Sequence, residues 1–307
     1  MNNSADGKIL SFSIGICAYN EREGVSILLR RLCAEKYKHM LKEIIVVSTC
    51  SHDGTNEVVE SFEDKGPVNL FTESKRKGKY TCVNTIVQTA KSNGSDILVL
   101  IPADVVPYPD AIDQMLDHFK DPNIGCVSGH PIPQNTAGLT EHMGELVWEM
   151  HHETFLSKSK DELVHASGEF MSFRPELVKD LTPDTVNDDT TIANDVRRAG
   201  KKIFYEPEAR VAIWVPRFIR DWWIQRLRIV SGHFTLRRKG LQTQEVSTMP
   251  IGSQLEIIFN VIRRRRDLTP FIPLVIAFEV LIRLRARFET QASAWTIVSS
   301  AKPILHK

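Results

Sequence analysis

The sequence predicts an α/β fold, a mostly parallel sheet with helices on both faces. Three observations predict it. Apolar strand-like runs alternate with helically spaced segments through the first half of the chain. One run, in "LVLIPADVVP" from Leu98 to Pro107, is branched aliphatic until it ends in a lone acid, Asp104, as expected of a strand buried on both faces. The length of 307 residues and a hydrophobic content of 42% also suffice for a sizeable core.

Taken in order, 9–17 ("ILSFSIGIC") reads as a strand, and 23–36 follows as a helix with Val25, Leu28, Leu29 and Leu32 on one side. A strand at 43–48 leads into a helix at 54–64 after Asp53-Gly54. Asp53 is expected to cap that helix. A short strand at 68–72 and a helix at 80–92 precede the aliphatic strand at 96–101. Pro109 suits a helix start, with the helix over 110–120, and "IGCVSGHP" is a further strand. Such alternation implies right-handed crossovers.

The second half changes character. A helix over 138–158 precedes "ELVHASGEFMSFRPELV" and an acidic loop, "DTVNDDTTIANDVRRAG". "KKIFYEPEARVAIWVP" reads as strand and turn, and "RFIRDWWIQRLRIVSGH" is rich in aromatics and arginines. A polar linker at 239–250 leads to two amphipathic stretches separated by "RRRR", which divides the chain into 1–238 and a helical region, 239–307.

The net charge of +1 points to neither nucleic acid nor an acidic partner, but the charge is uneven. Residues 217–288 hold 14 Lys/Arg against five Asp/Glu. The five cysteines have no metal spacing and read as reduced thiols of a cytosolic protein. "MNNSADGK" lacks the layout of a signal peptide, and no apolar run reaches the ~20 residues that span a bilayer.

In open sheets of this kind ligands bind beyond the carboxyl ends of the strands, where Asp104 falls. Five motifs frame that position. They are "SIGICAYNERE" (13–23), "KRKGKYTCVN" (75–84), "PAD" (102–104), "NDD" (187–189) and "QRLRI" (225–229). The first four have plain structural readings: a turn, a solvated basic loop, a capping acid, a helix N-cap cluster. Three of the five also show a chemical reading on their face. Tyr19 offers a face to stack a base. The basic loop before a helix suits a diphosphate through Lys77 and Lys79. Gln225 and Arg228, three apart, share a helix face.

In this order and spacing the motifs resemble glycosyltransferase family 2, over roughly residues 10–235. The resemblance implies a GT-A fold, inversion at the anomeric centre and nucleotide-sugar donors. It places Ala18, Tyr19, Asn20 and Glu21 at the nucleobase, with Thr49, Lys77, Lys79, Ala103 and Asp104 also on the donor. It makes Asp104 the ligand of Mg²⁺ or Mn²⁺ and Asp189 the catalytic base, with Asp188 beside it and Gln225 and Arg228 near the leaving diphosphate. His165, Gly168, Glu169, Trp222 and Trp223 are expected to border the acceptor.

Three positions depart from the pattern. Pro102 replaces the first acid of Asp-any-Asp, Ser48-Thr49 replace an acidic pair, and Ile229 stands where Trp is expected. The departures leave open a non-catalytic, nucleotide-binding relative. The leading expectation is a transferase on a lipid-linked or glycan acceptor at the cytosolic membrane face, free to form an oligomer. A soluble enzyme acting on a small molecule or protein is the alternative. The tail suits either an anionic membrane interface or packing against the rest of the chain or a second subunit.

Overall fold

The computed structural model describes residues 9–158, 163–289, 301 and 302. Strands β1 (Ser11–Ala18), β2 (Met40–Thr49), β3 (Val68–Glu73) and β4 (Ile97–Pro102) lie side by side in the order β3-β2-β1-β4, all parallel. Helices α1 (Arg22–Ala34), α2 (Thr55–Glu63) and α3 (Lys79–Ser92) make the crossovers. Strand β2 begins before its apolar core, because Met40 and Leu41 pair with Ser11 and Phe12 ahead of a bulge at Lys42 of β2. The N-cap of α2 is Gly54 rather than Asp53; one residue ahead of it, Asp53 Oδ1 accepts from the Thr55 amide at 3.0 Å, and Oδ2 accepts from the Arg22 amide at the start of α1.

Past β4 the sheet becomes mixed. Strand β5 (Val106–Pro107) is an edge of two residues, β6 (Ile124–Pro133) and β8 (Lys202–Ile213) pair in parallel, and β7 (Met171–Phe173) lies antiparallel between β4 and β6. Strand β7 is short because Arg174-Pro175 follows it, and proline has no amide to donate. The mostly parallel reading therefore holds for the first four strands, while β7 and β5 reverse direction.

Alternation along β4 divides the core. Ile97, Val99 and Ile101 join the α1 side with Leu28 and Leu29; Leu98 and Leu100 join α3 through Val83 and Ile86. Helix α4 (Ala111–Asp117) covers the first side, and α6 (Asp188–Arg198) covers the second with Ile192 and Val196.

Helices α5 (Leu139–Lys158), α7 (Ile219–Arg238), α8 (Ile251–Arg264) and α9 (Ile272–Ala286) share a third cluster built on Met143, Leu146, Trp222, Val230, Val261 and Val275. The tail helices thus pack onto the body of the chain. The clustered arginines take part: Arg264 pairs with Glu153, and Arg265 with Glu145, Glu149 and Asp267. Ile251, Leu255 and Phe259 of α8 and Ile276, Val280, Leu281 and Leu284 of α9 still face outward. Among the described residues no helix is long and apolar enough to cross a membrane.

Candidate active site

A cavity of about 720 Å³ opens at the carboxyl ends of β1, β2 and β4. The turn after β1 contributes Ala18, Tyr19 and Glu21, the end of β2 Thr49, and the turn after β4 Ala103 and Asp104. Lys79 enters from the first turn of α3, Asp188 and Asp189 from the first turn of α6, and Gln225 and Arg228 from α7. His165, Gly168, Glu169 and Trp222 complete the set. Asp104 and Asp189, 85 positions apart in sequence, therefore face one space.

Three expected residues do not line it. Asn20 adopts φ 50° and shapes the turn, its side-chain oxygen accepting from the His52 amide at 2.9 Å. Lys77 is exposed outside the wall. Trp223 packs its ring 6.2 Å from Phe278. The basic loop instead supplies Arg76 along with Lys79; the Arg76 guanidinium lies 4.3 Å over the Tyr19 ring, so that face carries a cation.

Lys79 lies 2.8 Å from Asp188. Burial alone would lower the lysine's affinity for its proton; the Asp188 charge and its neighbours reverse this and hold it above the usual range. Asp189 Oδ1 accepts from the Thr190 amide at 2.6 Å, and Oδ2 lies 3.8 Å from His165 Nε2. The Thr190 hydroxyl and His165 Nδ1 are 2.8 Å apart, which fixes the ring. Burial lowers the pKa of His165 against the pull of Asp189. Gly168 gives the carboxylate room, since a Cβ there would stand 3.0 Å from Asp189 Oδ2.

The acids in this space disfavour one another's ionisation. Burial and then Asp104 raise Glu169 to about 7, with Lys79 and Arg228 opposing. Burial and Asp104 likewise raise Glu21 to about 7. Asp104 itself is raised by burial, although Lys302, Lys79 and Arg228 pull it down. Arg228 is lowered by burial and supported by Glu169, Asp188 and Asp104. Such a field suits a ligand that brings both negative phosphates and a cation.

Sequence reasoning missed Lys302. Its ammonium lies 2.8 Å from the Glu21 carboxylate and donates to the Asn20 carbonyl at 2.8 Å. No local signal could announce a contact across 282 positions. It also left the altered β2 end unresolved: the Thr49 hydroxyl donates to Glu73 at 3.0 Å, so a neighbouring strand supplies a carboxylate beside the cavity. Asn84 exchanges two hydrogen bonds with the Leu181 backbone, and the cysteines carry free thiols.

Residues 13–182 match the family model described as Glycosyl transferase family 2. The chain is 26% identical over 246 residues to the poly-beta-1,6-N-acetyl-D-glucosamine synthase of Staphylococcus aureus, across 77% of this chain and 58% of that one. The corresponding synthase of Staphylococcus epidermidis is 25% identical over 234 residues, across 73% and 55%. The chain thus spans little more than half the length of these relatives. Among solved structures, a mannosyltransferase from Pyrobaculum calidifontis, in complex with GDP-Man and Mn²⁺, superimposes with a TM-score of 0.60 at 19% identity, covering 94% of this chain and 78% of the other. GalNAc-T7 with UDP, GalNAc and Mn²⁺ gives a TM-score of 0.52 at 18% identity, over 67% and 44%.

Proposed function

This chain belongs to glycosyl transferase family 2, and we propose that it transfers a sugar, with inversion, from a nucleotide-sugar donor to a lipid-linked or glycan acceptor at the cytosolic face of a membrane. The observation that carries the reading is the shared cavity of Asp104 and Asp189. Asp189 takes the proton of the acceptor hydroxyl as that oxygen attacks the anomeric carbon. Its carboxylate is held by the Thr190 amide, with His165 against its other oxygen. Lys79 and Arg228 border the space where charge develops on the leaving diphosphate. Gln225, on the same face of α7 as Arg228, lines the departing side.

Mg²⁺ or Mn²⁺ fits this chemistry through Asp104. Among the described residues no group of three or more His, Cys, Asp or Glu side chains converges to cage a metal. A hard divalent cation can rest on one carboxylate when phosphate oxygens and water complete its shell. Asp104, in a field of the raised acids Glu21 and Glu169, suits that role. Bound with the donor, such an ion supplies charge neutralisation at the diphosphate.

The outward apolar side chains of α8 and α9, with exposed Arg263, Arg266, Arg285 and Arg287, support seating on an anionic lipid surface. A panel of UDP-, GDP- and CDP-sugars with Mn²⁺ or Mg²⁺, read by melting temperature and donor hydrolysis, tests the enzyme reading. At least one pair is expected to raise the melting temperature and be turned over; no response across the panel would remove it. Flotation with anionic vesicles tests the membrane reading, and recovery of protein only from the pellet would remove that.

A further inference from the structure

We infer that the part of the cavity enclosed by α7, α8 and α9 receives one long aliphatic chain, which makes the acceptor a lipid rather than a free glycan. The inference rests on the transferase reading and specifies the acceptor of that same site.

The cavity does not end at the catalytic groups. The same continuous space is lined by Ile258 of α8 and by Ile272, Val275, Ile276 and Val280 of α9. Exposure along this wall is graded. Ile276 and Val280 are 46% and 53% exposed, Ile258 and Ile272 are half-buried, and Val275 is 3% exposed. Side chains that line one cavity while passing from surface to interior mark a mouth and a passage. The mouth is at α9.

The passage leads to the chemistry along α7. Trp222, Gln225, Arg226 and Ile229 all line the cavity at helical spacing, and Arg228 is the neighbour of Ile229. Trp222 is 1% exposed, its ring edge-on to Phe278 at 5.7 Å. Ile229 adds another branched aliphatic side chain. Charges occur on this wall, but they are paired: Arg226 Nε lies 2.7 Å from Glu279, and Arg283 2.7 Å from Glu245 and 3.6 Å from Glu279. Burial opposes ionisation of Glu245, yet His233 and Arg283 hold it at about 2. Paired groups leave little net charge to repel hydrocarbon.

The mouth decides between occupants. Ile276 and Val280 continue outward into the exposed Leu281 and Leu284 of the same helix. An apolar opening set within an exposed apolar patch suits a molecule whose tail dwells in a lipid layer and whose head enters the protein.

The probe is a series of n-alkyl phosphates of increasing chain length, below their micelle concentrations, titrated calorimetrically into the full chain. Affinity is expected to rise by about fourfold per methylene until the passage is filled. Val275→Trp fills the passage and is expected to abolish the rise; Ile276→Glu, at the exposed mouth, is expected to flatten it and serves if the tryptophan variant does not fold. The response of each variant to Mn²⁺ with the best nucleotide is recorded alongside. Absence of a chain-length dependence in the unaltered protein overturns the inference. So does equal loss in Leu284→Ser, which lies outside the cavity, because the chains would then only coat the surface. Chain binding without any nucleotide response would remove the transferase reading and leave the aliphatic passage standing.

Discussion

The Lys79 ammonium lies 2.8 Å from the Asp188 carboxylate, which ties the end of the basic loop to the turn that carries Asp189. The pair joins the first residue of α3 to the first residue of α6, so two helix N-termini are pinned across one cavity.

That tie is expected to behave as a coupled unit. Lys79→Met and Asp188→Asn should each lower stability by about 2 kcal/mol, at the low side for a buried pair because Lys79 keeps a quarter of its side-chain surface. The double variant should lose less than the sum. Urea denaturation of all four proteins gives the coupling; strict additivity would mean that the pair carries no structural energy.

Stability should also fall with rising pH through one window. The folded-state pKa of Glu169 is raised from 4.5 to about 7, so the native state holds a proton that the unfolded chain has released. Between these values the unfolded state binds fewer protons, and stability declines as pH rises. Glu169→Gln removes that part of the decline. Without metal or nucleotide, the variant should match the parent near pH 4.5 and melt higher at pH 8. A melting difference independent of pH would contradict the assignment.

Gly168 is expected to be intolerant of a side chain for a local reason. Gly168→Ala places a methyl 3.0 Å from Asp189 Oδ2 and 3.3 Å from its Cβ, which forces a shift of a few tenths of an ångström. Turnover should drop by about tenfold, since small misplacements of a reacting group are costly. Donor KM should stay within about twofold. An unchanged kcat would mean that the Asp189 position is not critical.

Much of this was legible in the sequence because local chemistry dictated it. The aliphatic run of β4 could only be a buried strand, and Asp104 had to fall beyond its end. The spacing of Val25, Leu28, Leu29 and Leu32 specified the buried face of α1. What was not legible depends on distant partners. Strand β7, three residues long, takes its antiparallel place from β4 and β6 rather than from its own pattern. Lys77 and Lys79 look alike in sequence, yet only the latter is in the first turn of α3 and meets Asp188. Lys302 reaches Glu21 by tertiary folding alone. The tail arginines left a lipid interface and packing both open in the sequence; Glu145 and Glu149 of α5 draw Arg265 against the body of the chain, whereas Arg264 pairs with Glu153 and stays largely exposed.

The most direct measurement compares Asp104→Asn and Asp189→Asn for Mn²⁺-dependent binding of the responding sugar nucleotide and for its turnover. The account predicts a division of labour: Asp104→Asn loses metal-dependent binding, whereas Asp189→Asn binds the donor as before and loses turnover by at least about a hundredfold. Retained turnover in Asp189→Asn, or unchanged metal-dependent binding in Asp104→Asn, would contradict it.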